Sequence, residues 1–485
     1  MYLYLDHIRC PCHCDYVMTT KINETSIHDY LRCRYLGEYS EQSLADDPEK
    51  NLVMQLILNY HIKLPIISEP ITLTKEIFST LKSYCIYTNV SVEYKSLSAI
   101  KVIVQKKDSK LILYDVSCSY NPQRDDINKL ALVYSICKKL MVPVDNAIIY
   151  VINKSPKLTS QPYHFIRTCS VLSRVKRVAK KVINEYNHHC NNSTKVQPEF
   201  GSHCFKPKQC RLFESCWKES FSWEILNLAQ ASLDKKLTYF NQGIITFNQL
   251  SSSNIELTPL QRIQIKVEKT KQPHINRVEL SKFLSQLTSI YHCLDIEVLQ
   301  LSIPLLKPYK TFQKLPILYS IHTHNQRLSK SEHTDNLFTT QSDFRYEFAC
   351  ELIEKLTPSN KIVVFDSTLE KQILTELSGL YPKLSSKLTA IKDAFLDLAP
   401  LFVNQHIILP GMNGKASLKA VLPCIKSSLS YKSLSVQSGF DVVKTYKHIA
   451  YNSNQDTTEI SKKLRQYCAL DTHALIEIID YLKTL

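Results

Sequence analysis

The sequence predicts an α/β protein, and two stretches with alternating strand and helix patterns carry this prediction. Between residues 70 and 152, apolar and β-branched segments alternate with segments of helical periodicity. In the C-terminal half, a β-prone segment covers 290–299, segment 361–371 runs from a strand into a helix, and an amphipathic helix covers 465–482. Strand, strand, helix, strand in the first stretch is the order of an α/β core.

The residue pattern of the N-terminal half justifies each element in turn. The predicted elements are a helix over 74–84, strands over 99–104 and 111–117, a helix over 127–140 and a strand over 147–152. Residues 166–183 are predicted as a basic amphipathic helix, because valines recur on one face while lysines and arginines cover the rest. That basic face could contact phosphate groups or could simply be solvated.

The composition is that of a large globular protein with excess positive charge. The chain has 485 residues, 44% of them hydrophobic, and a formal net charge of +15. These values predict two or three domains and favour a polyanionic partner such as nucleic acid, although a lysine-rich coding bias would also explain the charge. With seven glycines in the chain, a glycine-rich phosphate loop is not expected. No leader pattern or long apolar run is present, which predicts a soluble, cytoplasmic protein without membrane contact.

Carboxylates stand in three motifs of the C-terminal half. Asp295 and Glu297 are two residues apart on a predicted strand, so they point to the same side of it. Glu370 lies near the helix start within segment 361–371, and Tyr467 and Asp471 are four apart on one helix face. Taken alone, each is more often an ordinary structural residue. Two carboxylates on a core strand, however, are unfavourable unless a cation neutralises them.

The order of these motifs resembles the DEDDy branch of the DnaQ-like 3'-5' exonucleases, which have a ribonuclease H-like fold. The resemblance implies a site for two Mg²⁺ or Mn²⁺ ions whose ligands are Asp295, Glu297, Glu370 and Asp471. It also implies that Tyr467 orients the attacking water. The second motif of that family has Asn where this chain has Asp366. Asp397 resembles the strand aspartate that follows in such folds, and we interpret it as structural or supporting.

Three cysteines follow one another at intervals of six residues. Among the 16 cysteines of the chain, this group comprises Cys204, Cys210 and Cys216. Soft thiolates close together favour zinc or an iron–sulfur cluster. The N-terminal half resembles the RecB-like (PD-(D/E)XK) domains of CRISPR-associated nucleases with an iron–sulfur cluster. That resemblance implies a 4Fe–4S cluster whose fourth ligand is Cys33, from a predicted N-terminal helix. Zinc in the same thiolates is an alternative, and Cys33 has three rivals as fourth ligand: Cys10, Cys12 and Cys14.

The nuclease motif of that RecB-like resemblance is incomplete in this chain. Lys101 stands where the family has Asp on the first core strand. The pattern Glu-x-Lys of the next strand is replaced by Asp115-Val-Ser117, and Val133 takes the place of a helical Gln. A metal-dependent phosphodiesterase site needs several converging carboxylates. We therefore predict a degenerate nuclease domain that serves structure or grips nucleic acid.

The complete arrangement resembles an uncharacterised bacterial family with a domain of unknown function, which joins the two halves. The expected domains are a RecB-like iron–sulfur domain over 1–222, a helical connector over 223–288 and a ribonuclease H-like mixed-sheet domain over 289–485. The expected function is a metal-dependent 3'-5' exonuclease acting on a single strand or a free 3' end of DNA or RNA. Two other functions stay open: a non-catalytic nucleic-acid-binding protein, and an iron–sulfur structural or redox-sensing adaptor.

Overall fold

A computed structural model describes most of the chain. The described residues are 22–23, 26–33, 48–61, 63–154, 162–191, 199–206, 209–213, 216, 224–304, 306, 310–338, 342–429, 431, 434–451 and 458–485. Cys10, Cys12 and Cys14, the rival ligands of the iron–sulfur prediction, lie outside them. The chain divides into two compact units. The first is Met1–Phe221 with Ser302–Pro304, and the second is Ser222–Leu301 with Leu305–Leu485.

The first unit contains a mixed β-sheet covered by helices. Its strands are β1 (Ile66–Ile67), β2 (Ile71–Leu73), β3 (Cys85–Tyr94), β4 (Leu97–Lys107), β5 (Lys110–Val116), β6 (Val144–Ile152) and β7 (Ile166–Ser170). Its helices are α1 (Ser26–Tyr30), α2 (Pro48–Leu56), α3 (Lys75–Thr80), α4 (Arg124–Lys139) and α5 (Leu172–Asn191). The strand order is β1-β3-β4-β5-β6-β7, and β2 also pairs with β3.

Helix α4 connects the parallel strands β5 and β6 and packs on the sheet. Leu130, Val133 and Ile136 of α4 belong to the buried core of this unit, as the helical spacing predicts. A capping box at Gln123 and Asp126 begins the helix. The α/β core predicted for this half is therefore present.

Two local predictions in this unit are wrong. Residues 166–170 form β7, which pairs antiparallel with β6, and α5 begins only at Leu172. Pairing with a neighbouring strand satisfies the backbone there better than an extra helical turn, because Ile166 and Thr168 are β-branched. Cys33 also lies outside the N-terminal helix, since α1 ends at Tyr30.

The second unit contains helices and short strands around a five-stranded sheet. Its strands are β8 (His274–Ile275), β9 (Ile290–Gln300), β10 (Lys314–Asn325), β11 (Lys330–Leu337), β12 (Lys361–Val364), β13 (Phe395–Asp397) and β14 (Ile407–Ile408). Helices α6 (Leu233–Asn241), α7 (Phe247–Ser252), α8 (Pro259–Thr270) and α9 (Arg277–Leu284) precede the large sheet in the chain. The later helices are α10 (Arg345–Lys355), α11 (Thr368–Leu380), α12 (Ser385–Asp393), α13 (Ala399–Val403), α14 (Leu418–Ile425), α15 (Gly439–Tyr451) and α16 (Thr458–Lys483).

The five strands of the large sheet are ordered β11-β10-β9-β12-β13. Strands β9, β10 and β11 are antiparallel neighbours, whereas β12 is parallel to both β9 and β13. Helix α16 packs against β9, β10 and β11. A bulge at Ile317 shifts the register of β10 opposite Glu297, which lets Pro316 lie within a central strand. None of the helices in the described part of the chain is both long and apolar enough to cross a bilayer.

Candidate metal centre

Three carboxylates converge where α16 crosses strand β9. Side chains alternate along β9, so Leu294 and Ile296 enter the core while Asp295 and Glu297 point to the opposite face. Asp471 reaches the same place from α16, and one oxygen from each of the three carboxylates lies within 4.8 Å of the others. Within the described residues, no other group of three acidic, histidine or cysteine ligands is this close. Carboxylate oxygens at this spacing are suitable ligands for Mg²⁺ or Mn²⁺.

Glu370 approaches this group from the first turn of α11 but lies outside the 4.8 Å limit. Its side chain is 5% exposed, and Oε2 has no hydrogen-bond partner among the described residues. Burial, with the nearby charge of Asp295, raises the pKa of Glu370 to about 8. A buried carboxylate oxygen without a partner is unfavourable, and a cation bound beside it would relieve that penalty.

The surroundings of these carboxylates disfavour their ionised forms. Burial raises the pKa of Asp471 to about 7, and the charge of Asp295 contributes to that shift. Burial also raises the pKa of Glu297 well above its usual range, with Asp295 and Asp471 adding to the effect. The pKa of Asp295 is raised by burial as well. A divalent cation would reverse these shifts by neutralising the mutual repulsion.

Two neighbouring side chains donate hydrogen bonds to the carboxylates and fix their orientation. The Cys468 thiol lies 2.9 Å from Oδ2 of Asp295, and the Tyr431 hydroxyl donates to Oδ1 of Asp471. Cys468 lies three residues before Asp471, so helical spacing could have revealed it. Tyr431 lies between α14 and α15 in a segment without periodicity, and the sequence carries no signal for it.

Tyr467 lies one turn before Asp471, as the helical spacing predicts, and contacts a lysine that the sequence did not reveal. Nζ of Lys419, on α14, lies 2.6 Å from the Tyr467 hydroxyl oxygen. Burial raises the pKa of Tyr467, and the charges of Asp471 and Glu297 raise it further. The phenol therefore keeps its proton at neutral pH and can serve as a hydrogen-bond donor.

The turn between β12 and α11 sets the position of Glu370. Asp366 has a positive φ of 64°, a backbone region that Asp and Asn tolerate better than most residues. Asp397 accepts hydrogen bonds from the backbone nitrogens of Asp366 at 3.0 Å and Ser367 at 2.8 Å. Asp397 thus has the structural role that the sequence indicated. Asp366, which stands where the exonuclease family has Asn, is compatible with the turn between β12 and α11.

Polar contacts fix α16 on the sheet beside the carboxylates. The Thr472 hydroxyl lies 2.9 Å from the Ser320 hydroxyl and 2.8 Å from Nδ1 of His322. About two turns earlier, Arg465 forms an ion pair with Asp335 of β11. Because Thr472 directly follows Asp471, these contacts restrict the rotation and translation of α16 that would move the carboxylate.

The residues of the incomplete N-terminal motif do not form a comparable acidic group. Asp115 is buried, and its Oδ1 lies 3.3 Å from Nζ of Lys50 and 3.5 Å from Nζ of Lys129. Burial alone would raise the pKa of Asp115, but the two lysines lower it below its usual value. Lys101 is exposed and Val133 is buried in the core. Asp115 is therefore an ionised residue in a buried ion pair, not a plain strand-end residue.

The structure brings part of the predicted cysteine group together. Nε of Arg32 donates to the His203 carbonyl oxygen at 2.7 Å, which ties the residue before Cys33 to the residue before Cys204. Cys210 donates its backbone N–H to the Cys204 carbonyl oxygen at 2.7 Å. Burial raises the pKa of the Cys210 thiol, and the neighbouring Cys33 contributes to that shift. Cys216 is buried, and its backbone N–H donates to the Leu212 carbonyl oxygen at 2.8 Å.

Comparison with known proteins relates the carboxylate region to a family. A family model described as a domain of unknown function (DUF2779) matches residues 292–417. The uncharacterized protein MG366 of Mycoplasma genitalium is 28% identical over 169 residues, which cover 31% of this chain. The matched part spans 24% of the length of that relative. The segment that matches this family model therefore includes Asp295, Glu297 and Glu370.

Proposed function

We propose that this protein is a metal-dependent 3'-5' exonuclease that acts on a single strand or free 3' end of DNA or RNA. The convergence of Asp295, Glu297 and Asp471 within 4.8 Å is the observation that carries the proposal. Glu370, buried with an unpartnered oxygen, is the fourth ligand. The net charge of +15 suits a polyanionic substrate.

The topology of the second unit supports the same proposal. Three antiparallel strands followed by two parallel ones, in the order β11-β10-β9-β12-β13, are the arrangement expected of a ribonuclease H-like sheet. The carboxylates lie on its central strand β9, on α11 after β12, and on the last helix α16. This is the order of motifs that the DEDDy exonuclease resemblance implies.

The residues at the centre would have different roles in phosphodiester hydrolysis. Two divalent ions bound there would stabilise the charge on the reacting oxygens and lower the pKa of a bound water below that of bulk water. The carboxylates of Asp295, Glu297, Glu370 and Asp471 would hold these ions. The protonated Tyr467 hydroxyl would donate a hydrogen bond that orients the attacking water. Cys468 and Tyr431 would keep two of the carboxylates aimed inward.

Degradation of end-labelled oligonucleotides tests the proposal directly. Single-stranded DNA and RNA labelled at the 5' end should shorten stepwise with Mg²⁺ or Mn²⁺, and chelator should stop the reaction. A circular strand of the same sequence should stay intact, because an exonuclease needs a free end. If Mn²⁺ leaves linear DNA and RNA intact while the protein still binds them, the proposal fails. The alternative of a non-catalytic nucleic-acid-binding protein would then take its place.

We also propose that Cys33, Cys204, Cys210 and Cys216 bind a 4Fe–4S cluster. Cys210 lies near Cys33, and its backbone N–H donates to the Cys204 carbonyl oxygen at 2.7 Å. This proximity supports a site shared by these thiolates, and zinc is the alternative occupant.

Cys210→Ser should remove iron and destabilise the first unit, because metal binding and folding are coupled. Anaerobically purified wild type should be brown and contain about four irons per chain, measured by iron analysis and absorbance. Cys350→Ser, on α10 of the second unit, should keep full iron content. A colourless wild type with stoichiometric zinc would rule out the iron–sulfur assignment.

Asp115→Asn should leave exonuclease activity within about twofold, because a substitution away from the reacting groups removes no transition-state contact. It should still destabilise the protein by about 3 kcal/mol, since Lys50 and Lys129 lose a buried partner. Activity and urea unfolding measured on the same preparation separate the two effects. A hundredfold loss of activity in a folded variant would instead assign catalysis to the first unit.

A further inference from the structure

Lys419 occupies a polar and aromatic enclosure at the edge of the carboxylate centre. Its Nζ lies 2.6 Å from the Tyr467 hydroxyl oxygen and 2.6 Å from the Gln437 carbonyl oxygen. The same atom lies 4.5 Å from the ring centroid of Tyr467 and 4.9 Å from that of Tyr431. Two hydrogen bonds and two aromatic rings thus fix the ammonium group of a long, flexible side chain.

The direction of the hydrogen bonds around Tyr467 follows from the donors available. An ammonium group has donors only, so the Tyr467 oxygen accepts the bond from Lys419. The single phenolic hydrogen is then directed to the other side, toward the carboxylate centre, where the charges of Asp471 and Glu297 lie. The donors therefore run from the ammonium group through the phenol into the centre, and Lys419 determines which way the phenol donates.

The charge of Lys419 also reaches the carboxylates. It acts against the raised pKa values that burial and repulsion give Asp295, Glu297 and Asp471. A fixed positive charge near these three acidic side chains stabilises the metal-free protein. The same charge repels an incoming divalent cation, so it weakens metal binding to the ionised carboxylates.

We propose that Lys419 is a positioning residue of this centre: its ammonium group holds the Tyr467 phenol as a donor toward the attacking water, and it supplies positive charge that limits metal affinity. The inference rests on the proposed exonuclease function for its effect on turnover. Its effect on metal binding does not depend on that function. Lys419 lies beyond the residues matched by the DUF2779 family model, which end at residue 417.

Two effects of opposite sign are expected from Lys419→Met, which keeps the length of the side chain but removes charge and donors. The Kd for Mn²⁺, measured by calorimetry on the full chain at a pH above about 8, where the carboxylates are ionised, should fall about tenfold because repulsion is removed. In contrast, kcat should fall about 100-fold because the water-orienting phenol loses its fixed direction, while KM for the oligonucleotide changes little. A merely structural lysine would weaken both metal binding and turnover together.

Two further variants separate charge from geometry. Lys419→Arg keeps the charge, so its Kd for Mn²⁺ should stay near the wild-type value. Lys415→Met changes an exposed lysine in the connection that precedes α14, and it should change neither Kd nor kcat. These controls also show whether a general loss of surface charge explains the result.

A double-mutant cycle with Tyr467→Phe tests whether Lys419 affects kcat through the Tyr467 phenol. If Lys419 acts through the phenol, Lys419→Met in the Tyr467→Phe background should lower kcat by less than about twofold. Additive losses of kcat, or an Mn²⁺ Kd that rises in Lys419→Met, would overturn the inference. If the wild type hydrolyses nothing, the exonuclease proposal fails, and a tighter Mn²⁺ Kd in Lys419→Met would still support the role of the charge.

Discussion

Asp295→Asn is expected to lower exonuclease activity by at least about 10³-fold, because this carboxylate lies beside each of the other proposed metal ligands. Its charge raises the pKa of each of Glu297, Glu370 and Asp471, so it lies close to all three. Asparagine keeps the shape and can still accept the hydrogen bond from Cys468, but it cannot neutralise a cation. Initial rates with saturating Mn²⁺ measure the effect.

The matched control is Asp393→Asn, an exposed aspartate at the end of α12, which should keep wild-type activity. The melting temperature of metal-free Asp295→Asn should equal or exceed that of wild type, since one repelling charge is lost. The stabilisation by Mn²⁺ should shrink in the variant, because ligand binding and stability are linked. Retention of a tenth or more of the wild-type rate would contradict the assignment of Asp295 as a metal ligand.

The candidate ligands were predictable from sequence because local periodicity decides which side chains share a face. The two-residue repeat of a strand places Asp295 beside Glu297, and the four-residue spacing of a helix places Tyr467 one turn from Asp471. Their convergence depends on the packing of α16 over β9. Only the order of the motifs, through the family resemblance, indicated that convergence.

The contacts that hold the centre together were not predictable in the same way. Lys419 and Tyr431 reach Tyr467 and Asp471 across 48 and 40 residues of sequence, and no spacing rule covers such distances. Residues 166–170 show the same limit of local sequence patterns. Helical periodicity continues through this segment, but the segment forms strand β7 because it pairs with β6. Lys50 and Asp115 are another long-range pair, and no sequence spacing indicates their contact.

The metal-free protein is expected to lose stability as the pH rises from about 6.5 to about 8. Below about 6.5, the ordinary pKa of histidine, buried histidines change stability in the opposite direction, because burial lowers the pKa of His322 to about 4. Glu370 and Asp471, with pKa values of about 8 and about 7 in the folded protein, ionise near pH 4 when unfolded. Within this window the folded state therefore binds more protons than the unfolded state, and the free energy of unfolding must decrease with pH. Thermal melts in chelator at a series of pH values measure the slope.

Glu370→Gln should flatten this dependence, because the variant removes one group that titrates only after unfolding. One proton changes the slope by about 1.4 kcal/mol per pH unit, which corresponds to about 3 °C per pH unit for a unit of this size. Glu347→Gln, exposed on α10, is the matched control and should keep the wild-type slope. Mn²⁺ should stabilise wild type more at pH 8 than at pH 5, since protons compete with metal for the same oxygens. A melting temperature that rises between about pH 6.5 and about pH 8 in the metal-free wild type would show that these carboxylates are ionised without a cation. The centre would then lack its main reason to bind one.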